Sequence, residues 1–466
     1  MSKVISFAFA LAGFAASAHA ADLDPGSIKD PIPDSLTWNG VTLYGTIDLD
    51  YAYQTHGVPV GASFPQTLEY NIWSAKNANK EISTLAADAL SRSNIGVKIE
   101  EGIGDGWVAV GKAATDFSPL SGELADGPAS LLSNYGIPLA KQTANGDSNR
   151  AGQAFNGEVY AGVSNLSYGT LTAGRQRSLQ YEAFDEYDPQ GLSYAFGLIG
   201  YSASFSGSGD TEAGRWDNSV KYVYQYGPVH AAAEYTDGGP DTGIFGSAYG
   251  FNVGGAYRGF SLDAIYQKVN AVVSASAASP TTLAGVISDN TSWSIQGKYT
   301  YEFASGLKDE GAGPKLTFYG GYENISFADP SESVPIGSTT VGGYILSSIT
   351  TNDYTTDRVL QLFWTGAKYE LPSGWSFTAA YYHVDQNAYV SKGKTCVTAT
   401  LPTTGIQINS NCAGSYNDGS FVADYQFNKH FDVYAGVNYS TLDGGLSSGY
   451  LNDSQATVAT GLRLRF

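Results

Sequence analysis

The chain has 466 residues and a formal net charge of −19, with 25 Lys plus Arg against 44 Asp plus Glu. So acidic a balance excludes nucleic acid as a partner, because phosphate contact needs a basic stripe. With 56 Gly, 33 Tyr and 21 Phe beside one Met and two Cys, the composition favours strands, as in a barrel that is apolar outside and wet inside.

Residues 1–20 read as a signal peptide: Lys3 supplies a positive start, Val4 to Ser17 an apolar stretch, and Ala18-His19-Ala20 a cleavage signal. The mature protein is then expected to begin near Ala21, outside the cytoplasm. Residues 21–40, rich in Asp, Pro and Ser, read as an exposed leader. Nothing after residue 20 approaches 18 consecutive apolar residues, so any membrane crossing is made by strands.

The first strand is clear. Val41, Leu43, Ile47, Leu49, Tyr51 and Tyr53 share one face, and Thr42, Tyr44, Thr46, Asp48 and Asp50 the other. Period two over this length suits a tilted membrane-crossing strand, which needs about 9–11 residues. Further strands are expected at 91–101, 105–116, 154–165, 168–177, 215–226, 228–237, 246–257 and 260–270. Others follow at 292–304, 314–327, 358–371, 374–386, 418–428, 430–441 and 455–466. The total of sixteen is even, as is usual for single-chain bacterial barrels.

The connections alternate in length. Turns at 102–104, 166–167, 227, 258–259, 372–373 and 429 take turns with longer segments at 54–90, 117–153, 178–214, 271–291, 328–357 and 387–417. A somewhat longer turn falls among the short ones at 305–313, and moderate loops among the long ones at 238–245 and 442–454. Short turns on one rim and long loops on the other describe an antiparallel, all-β, up-and-down transmembrane barrel. In the last strand Val458, Thr460, Leu462, Leu464 and Phe466 share a face opposite Arg463 and Arg465, whose side is expected to be the lumen near the periplasmic rim.

Asp48 and Asp50 face the lumen by parity, either as pore-wall acids or merely as solvating groups. The acids Glu182, Asp185, Glu186 and Asp188 surround Tyr181, Phe184 and Tyr187; alone they describe no more than a solvated loop. Cys396 and Cys412, both in the 387–417 loop, are expected to form a disulfide. A metal site there would lack nearby His or further Cys, and no metal or cofactor is expected. Gly445-Leu-Ser447-Ser-Gly449 matches a nucleophile-elbow spacing but sits in a Gly/Ser-rich loop, without the strand–turn–helix setting and positioned His that the motif needs. Trp107, Trp216, Trp293, Trp364 and Trp375 are expected in aromatic belts at the membrane surfaces, in preference to carbohydrate stacking.

Six segments, in this order along the chain, resemble general diffusion porins of Gram-negative bacteria. They are Val41-Thr-Leu-Tyr-Gly-Thr-Ile-Asp48, Ser93-Asn-Ile-Gly-Val-Lys98, Phe155-Asn-Gly-Glu-Val-Tyr-Ala-Gly162, Tyr168-Gly-Thr-Leu-Thr-Ala-Gly-Arg-Gln176, Asp217-Asn-Ser-Val-Lys-Tyr222 and Gly461-Leu-Arg-Leu-Arg-Phe466. The resemblance is strongest over residues 41–235 and at the C-terminus. It implies a sixteen-stranded barrel, usually a homotrimer in outer-membrane lipid, passing ions and small polar solutes passively. It implies too that Phe466 is read by the barrel-assembly machinery, and that the third outer loop, 178–214, folds into the pore. On that loop Glu182, Asp185, Glu186 and Asp188 would face basic side chains of the wall.

Candidate wall cations are Arg92, Lys98, Lys112, Arg175, Arg177, Arg215 and Lys221. Arg175 shares parity with Leu171 and Ala173, so a bulge would be needed to bring it to the lumen. Asn94 and Gly157 stand where relatives often carry a basic residue, which implies a more acidic constriction. The acidic charge points to a non-specific, cation-preferring channel. A substrate-specific porin, for example for sugars, is the alternative; a barrel enzyme or adhesin lacks a credible nucleophile–base pair.

Overall fold

The computed structural model describes residues 36–60, 67–69, 80–124, 132–138, 141–142, 154–198, 214–239, 246–304, 313–332, 340–341, 344–351, 354–391, 396, 398–400 and 407–466. The expected signal peptide, and all of the expected leader before residue 36, lie outside the described residues.

Sixteen antiparallel strands close into a barrel. They are β1 Val41–Gln54, β2 Asn94–Gly104, β3 Trp107–Asp116, β4 Val159–Asn165, β5 Gly169–Arg177 and β6 Arg215–Tyr226. Next come β7 Val229–Thr236, β8 Ala248–Tyr257, β9 Phe260–Ser279, β10 Thr282–Glu302 and β11 Lys315–Ala328. The last five are β12 Arg358–Glu370, β13 Trp375–Gln386, β14 Gly414–Asn428, β15 Phe431–Gly444 and β16 Ser454–Arg465. Each pairs with its chain neighbours, and β1 closes on β16 from Thr46 opposite Arg465 to Gln54 opposite Thr457. Closure pairs each of the sixteen strands with a neighbour on either side, as lipid requires. The short turns carry left-handed residues: Arg258 and Gly259, at φ 49° and 85°, link Tyr257 to Phe260 in a two-residue hairpin.

The pleat sorts the side chains as the alternation requires. Along β1, Asp48, Asp50, Ala52 and Gln54 are buried inward, while Leu43 and Tyr51 are exposed outward. Outward aromatic pairs such as Trp293–Tyr322, Tyr322–Phe363 and Trp375–Tyr425 line the exterior. Two tryptophans depart from the expected belts. Trp216 packs with Ala248, Val269 and Val272, and Trp364 points into the barrel against Phe184.

Three boundaries differ from the alternation reading. The segment 271–291, expected as a loop, continues the β9–β10 hairpin out to Ser279 and Thr282. Its Val272 to Ser279 stretch is mostly Ala and Ser, which carry too little polarity contrast to show a period of two. The strand Tyr344–Thr351 lies parallel on this extension, with Leu346 packing on Val273, Leu283 and Ile287. The expected strand at 154–165 begins only at Val159.

The second strand is also broken. Ile82–Ala87 pairs with the upper half of β1 and Asn94–Gly104 with the lower half, while 88–93 folds inward between them. Asp88, at φ 65°, accepts from Ser93 N and Oγ at 2.8 and 2.6 Å. Asp48 accepts from Leu90 N and Ser91 N at 3.0 and 2.8 Å, and Asp50 from Ala89 N at 3.3 Å. Buried backbone amides need such partners, so these carboxylates hold the inward fold.

At the closing strand, Phe466 exchanges backbone hydrogen bonds with Gly45, N to O at 3.0 Å and O from N at 2.9 Å. A Cβ on Gly45 would lie 2.5 Å from the Phe466 ring and 2.8 Å from Asn94 O. Gly45→Val is therefore expected to lower the yield of closed barrel, read from the heat-modifiable band on unheated gels. Wild-type yield would show that this seat does not matter.

Candidate pore constriction

The third loop enters the barrel as a helix, α1 Leu179–Tyr187. Ser178 Oγ accepts from Tyr181 N at 3.2 Å, capping the first turn, and Glu182 sits near the positive end of the helix. Three faces follow from the helical period. Leu179, Ala183 and Tyr187, four apart, pack on Ile265 and Ala232. Tyr181 and Phe184 join the cluster of Trp364, Tyr382 and Leu362. The third face leaves Glu182, Asp185 and Glu186 in water, their side chains 46%, 52% and 52% exposed.

Beyond the helix the loop is seated by its own polar groups. Asp188 accepts from Tyr382 Oη at 2.5 Å, Leu192 N at 2.8 Å and Gln190 N at 3.2 Å. Burial pushes its carboxyl up to about 6, against the pull of the tyrosine hydroxyl and the two amides. Wall glycines admit the loop closely. A Cβ at Gly366 would lie 2.5 Å from Pro189, and one at Gly436 2.7 Å from the Phe196 ring. Ser193 Oγ and Ala195 N both donate to Ala89 O, at 2.6 and 3.0 Å, tying the loop to the inward fold of 88–93. The loop thus lines the interior from β7 round to β15.

The wall left bare carries the cations. Arg92 donates to Asp116 at 3.1 Å and to Tyr181 Oη at 2.5 Å, and Arg215 reaches the same Asp116 at 3.2 Å. The guanidinium groups of Arg92, Arg177 and Arg215 lie 5.6, 4.8 and 5.4 Å from the Tyr181 ring centre, within cation–π range. Lys112 pairs with Glu158, which Arg177 approaches at 3.5 Å. Each exposed helical acid meets a wall cation: Glu182 with Lys221 at 2.8 Å, Asp185 with Arg177 at 2.8 Å, and Glu186 with Lys298 at 2.5 Å.

The expected residues therefore divide. Glu182, Asp185, Glu186, Arg92, Lys112, Arg177, Arg215 and Lys221 come together. Acid and base touch as paired charges, where the sequence reading had them facing each other. Asp188, Asp48 and Asp50 serve loop seating instead. Lys98 pairs with Glu100 at 2.9 Å, both half-exposed and well down β2. Arg175 turns to Asn156 O and Asp217, each at 2.8 Å. Asn94 Nδ2 donates to Arg92 O, and a side chain on Gly157 would strike Ala114 O at 2.8 Å. The cation comes instead from Arg92, two residues before Asn94. Asp116, Glu158, Glu234 and Lys298 were not foreseen. Lumen parity with Lys112 could have found Asp116, and parity with Ser294 and Gln296 could have found Lys298.

The other candidate groups have plain surroundings. Cys396 and Cys412 are disulfide-bonded, with Cα atoms 4.7 Å apart. Gly445–Ser447 is a single 3₁₀ turn in which Ser447 Oγ donates to Gly444 O at 2.9 Å. Arg463 and Arg465 both reach buried Asp432 at 2.8 Å. What remains beside α1 is a water-facing row of paired acidic and basic side chains.

A family model described as Gram-negative porin matches residues 8–445. Among curated proteins, none matches the chain in sequence. Solved structures share the fold at low identity. The anion-selective porin from Comamonas acidovorans is 15% identical with TM-score 0.57, covering 91% of this chain and 99% of that one. The trimer form of the outer-membrane protein OmpT of Vibrio cholerae is 14% identical with TM-score 0.52, covering 91% and 99%. Salmonella typhi OmpF, in complex with daunomycin, is 14% identical with TM-score 0.50, covering 92% and 98%.

Proposed function

Because this chain belongs to the Gram-negative porin family, we propose that it is a passive outer-membrane channel for ions and small hydrophilic solutes, without catalysis and with a preference for cations. The preference rests on the water-facing carboxylates of Glu182, Asp185 and Glu186, more exposed than their partners Lys221, Arg177 and Lys298. A net charge of −19 adds to the local cation concentration. The test is the reversal potential across a salt gradient in planar bilayers. Wild type is expected to favour cations, and the variant E182Q/D185N/E186Q to lose most of that bias. Anion preference in the wild type would overturn the selectivity, and saturable block by one sugar would favour a substrate-specific pore.

The same reading includes removal of residues 1–20, assembly through Phe466 and a homotrimer. The exterior of β3 to β5 supports a subunit contact there. It presents the small residues Ala109, Ala113, Ala161 and Ala173, which let a neighbouring barrel approach closely.

A further inference from the structure

Several buried carboxylates of the interior wall lie against a charged group or accept hydrogen bonds. Asp116 has Arg92 and Arg215, Glu158 has Lys112 and Arg177, and Asp432 has Arg463 and Arg465. Asp418 accepts from Tyr416 Oη at 2.8 Å and Asn438 Nδ2 at 2.6 Å, and Glu234 lies 3.9 Å from Lys221. Glu323 on β11 differs. It is fully buried, and among the described residues no charged group pairs with it and no donor meets its oxygens in bonding geometry.

Its neighbours are neutral. Ser294 stands opposite it on β10, Ser292 is the adjacent hydroxyl, and Gln296 is the next inward residue below. Ser292 and Gln296 are each 1% exposed, and among the described residues Ser292 Oγ and both side-chain polar atoms of Gln296 meet no partner in bonding geometry. This group lies near the underside of α1, where Ser294 Oγ donates to Gln180 Oε1 at 2.7 Å and Gln180 N donates to Gln267 Oε1 at 2.9 Å. A carboxyl buried in this way either keeps its proton or holds a cation, and the hydroxyl and amide oxygens on its β10 side suit a cation.

We infer that Glu323, Ser292 and Gln296 form a binding site for one monovalent alkali-class cation behind the loop helix. Carboxylate, hydroxyl and amide oxygens are the ligands hard cations prefer. A single carboxylate balances one positive charge. A divalent ion would leave a charge uncompensated, and it commonly recruits more than one carboxylate.

The experiment is anomalous diffraction from crystals of the intact folded protein grown in rubidium chloride. Rubidium density is expected within coordination distance of Glu323 in the wild type and absent from E323Q. The unfolding midpoint of the wild type should rise when rubidium replaces choline at equal ionic strength, and that of E323Q should not. Wild-type crystals without rubidium at Glu323, or a peak that survives in E323Q, would overturn the site. The wild-type crystal decides the matter even where E323Q fails to fold, and either result leaves channel conductance untouched as a separate question.

Discussion

Phe184→Ala is expected to raise single-channel conductance and make the open current noisier. Phe184 is fully buried and meets the Trp364 ring edge-on at 5.7 Å, inside the cluster that seats the third loop. Removing a buried Phe side chain costs about 3–5 kcal/mol. Here that loss falls on the docking of α1, because the barrel's strand pairing does not pass through Phe184. The helix should then leave its seat part of the time, taking Glu182, Asp185 and Glu186 with it. Bilayer recordings check this: conductance and noise equal to the wild type would mean that the loop does not limit the current.

Asp116→Asn is the second large effect. One carboxylate serves both Arg92 and Arg215, and Arg215 is 4% exposed. Removing one partner of a buried pair costs about 3–5 kcal/mol, reduced here because the Asp116 side chain is 19% exposed. Arg92 and Arg215 would then keep the Tyr181 ring, which Arg177 also shares, without the carboxylate that both contact. The reversal potential should move toward anions, and the midpoint of thermal unfolding should fall. An unchanged reversal potential would place these arginines outside the conducting path.

The fold was legible where side chains contrast. All sixteen strands showed in the period-two pattern, because lipid on one side and water on the other force that pattern onto each of them. It failed where contrast vanished, as in Val272 to Ser279, where Ala and Ser continue a strand without marking its faces. It failed also at 88–93, since the inward fold depends on Asp48 and Asp50 from a different strand meeting Leu90, Ser91 and Ala89. Arg92 and Lys98 were both expected as wall cations, whereas the fold brings Arg92 to Asp116 and leaves Lys98 beside Glu100.

The loop was the hardest part to read. Its acids stood out as a run, but nothing local says that Asp188 is buried while Glu182, Asp185 and Glu186 are wet. That division comes from a helix whose other faces find Ile265 and Trp364 on distant strands. The pairing of each exposed acid with a wall cation is likewise tertiary: parity could have put Lys298 on the lumen side, but only the fold sets it against Glu186.

The most direct test of a passive channel is the wild-type current itself, recorded as the purified protein inserts into a planar bilayer. Discrete conductance steps are expected, linear in voltage near zero and growing with salt concentration. Insertion without steps, or a current that saturates with salt, would contradict an open diffusion pore.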